Sequence, residues 1–154
     1  MTRGSAFSVA LVLVIAALVV GAFAWAFLFI GTPQEQRALR LDLERVRRLE
    51  RLSRAIQDYV VRQEKPSLPE DLGQVREFLK SGYWDGFYGL QVLEDPQTGE
   101  LFEYRRIGRN EYELCATFQT DFREQLQKAR IGEDTAARWM HAKGRHCFRF
   151  TVTY

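Results

Sequence analysis

Four side chains in the carboxyl-terminal part of the sequence are of types that could do chemistry. They are Cys115, His141, His146 and Cys147, and they include every cysteine and histidine in the chain. Thiolates and imidazoles are ligands that suit zinc, so one hypothesis is a metal-binding module built on these four residues. The spacing argues against it, because no C-x2-C or H-x3-H pair occurs and the adjacent His146 and Cys147 point to opposite faces of a strand.

The two cysteines also suit a disulfide. An even pair of cysteines in a domain that faces an oxidising compartment is typical of one bridge. Each cysteine falls opposite the apolar face of its predicted strand, so both thiols lie on the same side if those strands share a sheet. We therefore predict a Cys115–Cys147 disulfide, with two buried free thiols as the alternative.

The sequence carries no motif that indicates catalysis. It has no phosphate-binding glycine loop, no G-x-S-x-G and no C-x-x-C-H, and nothing supports a Cys–His nucleophile. The carboxylates fit helix caps, turns and salt bridges. The balance of 22 basic and 20 acidic residues is unlike the lopsided basic domains that bind nucleic acids. The expectation is no enzyme, no cofactor, no nucleic-acid partner and no small-molecule substrate.

An apolar run from Ala6 to Ile30 contains no charged residue and no histidine. A helix of this length crosses a bilayer core of about 30 Å, so residues 1–31 are predicted to form a transmembrane anchor. The lack of ionisable side chains excludes a proton relay or a histidine-ligated haem within the span. The stretch 22–24 resembles a signal-peptide cleavage site, but the run is longer than the roughly 7–15 apolar residues of a signal peptide.

The anchor has features that are typical of contact with lipid and with other helices. Trp25 fits an aromatic belt at the membrane interface. Small residues recur at spacings of four in the pairs Ala17/Gly21 and Ala22/Ala26, which lets another helix approach closely. The predicted partners are the lipid bilayer and the helices of other membrane proteins.

Residues 32–154 are predicted to form one soluble α+β domain. Thr32, Pro33 and Glu35 make an N-cap, a first-turn proline and a capping-box glutamate, which predicts the start of an amphipathic helix over 32–65.

Apolar residues recur along this helix at spacings of three and four, which is typical of one buried stripe. They are Leu39, Leu43, Val46, Leu49, Leu52, Ile56 and either Tyr59 or Val60. The arginines from Arg45 to Arg54 are interpreted as a solvated, salt-bridged face, with pairs such as Glu44/Arg48 and Glu50/Arg54. A role in binding nucleic acid or lipid headgroups is the alternative.

A shorter helix is predicted over 66–82, because residues 67–70 form a second capping box and Gly82 suits a C-cap. The aromatic, glycine-rich stretch 83–89 is interpreted as a turn that covers the core edge, with a ligand platform as the alternative. The stretch 95–99 is a turn by composition.

Residues 100–154 are predicted to contain a small antiparallel sheet. Alternating patterns indicate strands over 101–107, 111–118 and 146–154. The polar stretch 121–144 between the last two strands is predicted to be partly helical.

This order of elements resembles the type IV pilins and pseudopilins, which have a membrane helix running into a long amphipathic helix and then a small antiparallel sheet. The resemblance is carried by residues 41–59, by the PSLPEDL stretch at 66–72, by DPQTG at 95–99 with FEYR at 102–105, and by YELCATF at 112–118. It implies a non-enzymatic structural subunit that associates laterally through its membrane helix.

The chain departs from that family at its amino-terminal end. The resemblance implies a prepilin cleavage motif, in which a glycine precedes a phenylalanine-rich start with glutamate at the fifth position. Here Ser5 and Ala6 follow Gly4, and Val9 stands at the fifth position. A second hypothesis is therefore an accessory subunit that stabilises a larger respiratory, photosynthetic or secretory membrane complex.

Two signals disagree about the side of the membrane on which the domain lies. The arginines that follow the span outnumber Arg3 before it, which by the positive-inside rule favours a cytoplasmic domain. The cysteine pair and the resemblance favour an oxidising compartment. We predict a single-pass protein of the bacterial inner membrane with a periplasmic domain.

Overall fold

The computed structural model describes residues 3–30, 32–83, 89–122 and 138–153. The chain divides into two compact units, Met1–Arg37 and Ala38–Tyr154. Within the described residues it has three α-helices and one three-stranded antiparallel sheet, which confirms the predicted α+β class.

Helix α1 is a single apolar helix, Arg3–Ile30. Its stretch Ser8–Ala26 has a mean hydropathy of 2.7, and none of that stretch is buried within the protein. Among the described residues this is the one helix that is long and apolar enough to cross a membrane. At 1.5 Å per residue its full length is about 42 Å, more than the bilayer core requires.

Helix α2 spans Pro33–Val61 and begins with the predicted capping box. The backbone N–H of Thr32 donates to the Glu35 carboxylate at 2.8 Å, and the backbone N–H of Glu35 donates to the Thr32 hydroxyl at 3.3 Å. This reciprocal pair satisfies two helix-terminal donors. The apolar stripe is buried from Leu39 to Val60, although Leu43 is only half-buried.

Helix α3 is shorter than the predicted element and spans Leu72–Phe78, followed by a π-helical turn at Leu79–Tyr83. The predicted cap at Ser67 is wrong. Asp71 is the N-cap, and its carboxylate accepts the backbone N–H of Gln74 at 3.1 Å. Ser67 is too early because its hydroxyl bonds to Gln63 and the following Leu68 is buried in the core.

The sheet consists of β1, Glu103–Arg106, β2, Glu111–Phe118, and β3, Gly144–Thr151, in the order β1-β2-β3. The bounds of β2 match the predicted strand, whereas β1 and β3 end earlier than predicted. The buried stripe of α2, the apolar face of α3 and the inward residues of the strands form one hydrophobic cluster. Residues 84–88 of the predicted aromatic turn and 123–137 of the predicted partly helical stretch lie outside the described residues.

Candidate functional site

The two cysteines are joined in a disulfide. Cys115 on β2 and Cys147 on β3 are directly opposite each other in the strand register, with their Cα atoms 4.0 Å apart. This is the same-side arrangement that strand parity suggested. Because both sulfurs are bonded to each other, neither is a thiolate ligand, and the four-residue metal set does not form. No cluster of three or more metal-ligating side chains occurs within the described residues.

A charged pair on the outer face of the sheet lies over the disulfide. The Arg145 guanidinium donates to both carboxylate oxygens of Glu103, at 3.0 and 2.6 Å, and its Nη2 lies 3.6 Å from the Cys115 sulfur. Hydrogen bonds from Arg145 hold the pKa of Glu103 below its usual range. Cys115 is only 3% exposed and Cys147 is half-buried, so the bridge is covered at its Cys115 end.

The buried His141 packs among aromatic rings, whereas His146 is half-buried. The ring of His141 is buried and stacks on Phe118, with centroids 3.7 Å apart, and it meets the edge of Phe122 at 5.3 Å. The centroid of His146 lies 6.3 Å from that of His141. Burial lowers the pKa of His141, because it disfavours the charged imidazolium.

Replacing His141 by a residue that does not titrate should reduce the loss of unfolding free energy as the pH falls. The pKa of His141 is lowered in the folded state, so the unfolded chain takes up the proton first as the pH falls. The stabilisation is present above the unfolded-state value of about 6.5 and is lost as the pH falls through the folded-state value. We expect His141→Phe to remove this slope in denaturant unfolding of the full chain in detergent between about pH 7.5 and about pH 5. His141→Gln should remove it as well despite lower stability, and an unchanged slope in both variants would contradict the assignment.

A buried ion pair on α2 is the main polar feature that the sequence analysis missed. Asp42 is 0% exposed and Arg45 is 3% exposed, although Arg45 was predicted to lie on a solvated face. Arg45 Nη1 donates to Asp42 at 2.7 Å, and its Nε donates to Asp95 at 2.6 Å. Arg45 Nη2 also donates to Gln97 at 2.7 Å. We call Asp42, Arg45 and Asp95 the buried triad.

Asp42 also holds the chain segment that follows β2. Its carboxylate accepts the backbone N–H groups of Gln119, at 3.0 Å, and Thr120, at 2.7 Å, and the Thr120 hydroxyl at 2.6 Å. Gln119 and Thr120 follow Phe118, the last residue of β2 that pairs with β3. The Asp42 carboxylate thus accepts backbone N–H groups just beyond the β-ladder and links α2 to the end of β2.

Asp95 connects the triad to the predicted turn. Its side chain accepts the backbone N–H groups of Gln97 and Thr98 at 2.8 and 3.1 Å, and Gly99 closes the turn with a φ of 71°. Burial opposes ionisation of Asp95, but hydrogen bonds from Arg45 and from the turn backbone outweigh it and lower its pKa. The turn prediction at 95–99 is confirmed.

The positions of two triad residues along α2 are enough to predict that they are buried. Asp42 and Arg45 precede Leu49 by seven and four positions, which are the spacings of the buried stripe. Charge alone assigned Arg45 to the solvated face, and the distant partners of the two residues, Asp95 and Thr120, are 50 and 78 residues away in the sequence. The other predicted pairs are confirmed: Glu44–Arg48 at 3.3 Å and Glu50–Arg54 at 2.6 Å.

A cleft of about 300 Å³ lies beside the triad. Its charged lining consists of Arg45, Asp95, Glu100, Glu103 and Arg145. Arg45 is bonded to its triad partners, and Arg145 is bonded to Glu103. Among the described residues the lining contains no histidine and no free thiol.

The two pairs of predicted packing residues lie on different faces of α1. Ala17 and Gly21 share a face, whereas Ala22 and Ala26 are rotated by roughly 140° from them around the helix axis. Ala24 falls seven positions after Ala17, so it extends the first face, which sequence spacing of four did not reveal. A Cβ atom added at Gly21 would meet nothing within 4 Å.

Trp25, the predicted interfacial residue of α1, is 65% exposed. The accessible apolar surface of α1 and the buried triad are thus the two features of the described residues that call for a functional account.

No family model, no curated protein and no solved structure matches this chain.

Proposed function

We propose that this protein is a non-enzymatic, single-pass membrane protein with a structural role, a pilin-like subunit that associates with other membrane proteins through α1. In this proposal it resides in the bacterial inner membrane and its folded domain lies in the periplasm. Its partners are the lipid bilayer and the helices of neighbouring proteins.

The accessible apolar surface of α1 is the observation that carries the proposal. None of the stretch Ser8–Ala26 is buried within the protein. An apolar surface of this size on one helix is stable in lipid or against another protein, and it is costly in water. The absence of ionisable side chains from Ala6 to Ile30 supports a role in anchoring and packing rather than in proton or ion transfer.

The small-residue face of α1 supports lateral association. Ala17, Gly21 and Ala24 lie along one side of the helix, where the backbone of a second helix can come close. The succession of an apolar helix, a long amphipathic helix and a small antiparallel sheet supports the pilin-like assignment. The disulfide supports the periplasmic side, because such bonds persist in oxidising compartments.

One observation favours the accessory-subunit alternative. Val9 occupies the position at which the prepilin motif would carry glutamate. Without that glutamate, the motif with which the resemblance associates processing and filament registry is incomplete. In this alternative the same helix packs against a fixed partner in a larger membrane complex.

The test is purification of the full chain from its native membrane in mild detergent, followed by intact-mass measurement of the complex. We expect the chain only in the detergent extract, with both thiols oxidised and with other membrane proteins bound. A new amino terminus at Ser5 would support the pilin-like subunit, and a retained Met1 with one fixed partner would support the accessory subunit. Recovery without detergent, or with free thiols, would contradict the proposal.

A matched pair of variants tests the helix face. Gly21→Leu adds bulk to the small-residue face, whereas Ala16→Leu adds bulk about 140° around the helix, outside both predicted packing pairs. We expect Gly21→Leu to lose most of the co-purified partner and Ala16→Leu to retain it. Equal retention in both variants would contradict association through that face.

A further inference from the structure

The solvent side of α2 carries a row of arginines that the proposed function does not use. Arg40, Arg47, Arg51 and Arg54 are all exposed, and we call them the arginine stripe. They fall within roughly 60° of one another around the helix axis and extend over about 21 Å. The opposite side of α2 is buried in the hydrophobic core, so the stripe is the side of this helix available to an external partner.

The stripe has an excess of positive charge. Glu44 pairs with Arg47 at 3.8 Å and Glu50 pairs with Arg54 at 2.6 Å. Arg40 and Arg51 have no ion pair with a carboxylate among the described residues. Two guanidinium groups are therefore available to an external anion.

The composition of the helix indicates which anion fits. All seven basic residues of α2 are arginines, and none is lysine. The planar guanidinium fork binds phosphate oxygens with two parallel hydrogen bonds, which a lysine ammonium does not do. A surface of phosphodiester groups matches a row of such forks.

The anchor brings the stripe to such a surface. Even if fully extended, the chain from the last residue of α1, Ile30, to Arg40 spans at most about 35 Å. Arg54 lies about 21 Å further along α2, so the tether keeps all four arginines at a high effective concentration near lipid headgroups. An acidic protein, in contrast, would have to be recruited.

We propose that the arginine stripe binds anionic phospholipid headgroups of the membrane in which α1 is anchored. This inference rests on the proposed membrane anchoring of α1. Binding is to headgroups only, because the apolar side of α2 is committed to its own core and does not insert. The stripe would enrich anionic lipid around the protein.

The experiment reconstitutes the full chain in phosphatidylcholine vesicles that contain trace spin-labelled phosphatidylglycerol or spin-labelled phosphatidylcholine. Electron paramagnetic resonance measures the fraction of each label immobilised by the protein. We expect about a threefold preference for phosphatidylglycerol, which disappears in about 1 M salt, where charges are screened within about 3 Å.

Two double variants locate the effect. Arg40→Gln/Arg51→Gln removes the two stripe arginines without a carboxylate partner, and we expect the preference to fall by at least about half. Arg106→Gln/Arg109→Gln removes the same charge from exposed residues on and beside β1, and we expect it to keep the preference. Equal loss in both variants would overturn the proposal, because net charge would then explain the effect.

Two further outcomes are separable. If the chain fails to float with vesicles, the anchoring itself fails and the inference fails with it. If the chain floats but shows no preference for phosphatidylglycerol, anchoring stands and the lipid assignment is overturned, which leaves an acidic protein surface as the partner of the stripe.

Discussion

Replacing Asp42 by asparagine is expected to lower the free energy of unfolding by about 3–5 kcal/mol, the usual cost of breaking a buried ion pair by removing one partner. The change removes the charge that faces Arg45, which is only 3% exposed. It also puts an amide group where the carboxylate accepts the backbone N–H groups of Gln119 and Thr120. An amide nitrogen cannot accept these hydrogen bonds, so at least one buried donor is left without a partner.

Denaturant unfolding of the full chain in detergent measures this loss, followed by the fluorescence of the buried Trp139 in a Trp25→Phe/Trp84→Phe background. The matched control is Glu50→Gln on the same helix, which breaks the exposed pair with Arg54. That pair should contribute only about 0.3–0.5 kcal/mol. A loss below about 1 kcal/mol for Asp42→Asn would contradict the role assigned to the triad.

The surroundings of Asp42 also explain why an apolar replacement of the ion pair should fail here. Buried ion pairs are often replaced by hydrophobic residues without loss of stability. In this protein the carboxylate serves backbone donors from a segment 77 and 78 residues further along the chain. Removing both Asp42 and Arg45 would leave those donors unsatisfied. The pair therefore holds the end of β2 in addition to satisfying its own charges.

Replacing both cysteines by alanine is expected to lower the free energy of unfolding by about 3–4 kcal/mol, because the bridge between Cys115 and Cys147 restricts a long loop in the unfolded chain. The two residues are 32 positions apart. For a folded unit of this size such a loss is a large share of the total stability. The periplasmic assignment depends on the same bond, which a reducing compartment would not maintain.

The same unfolding experiment measures this effect, with the reduced wild-type protein as the control for side-chain packing. Reduced wild type and Cys115→Ala/Cys147→Ala should unfold at similar denaturant concentrations, both well below the oxidised protein. If the reduced and oxidised proteins unfold together, the bridge contributes no stability. That result would also remove the support that the disulfide lends to a periplasmic domain.

Much of this architecture follows from local sequence. The capping box at Thr32 and Glu35, the turn at 95–99 and the strand Glu111–Phe118 each depend on residues within a few positions of one another. The length and composition of α1 are likewise readable without any tertiary contact. Strand parity was sufficient to put both cysteines on one side of the sheet.

The tertiary structure alone decided where charge is buried and which residues meet. Asp42 lies in the core because the end of β2 presents backbone donors to it, and Arg45 follows because Asp95 faces it across the fold. Asp71 rather than Ser67 is the N-cap of α3, because burial of Leu68 keeps that segment out of the helix. Local residue propensities carry no information on the register of distant strands or on which side of a helix packs against the core. The sequence by itself therefore determined the apolar helix α1 and the α+β order of elements, whereas long-range packing determined the polar network within the unit Ala38–Tyr154.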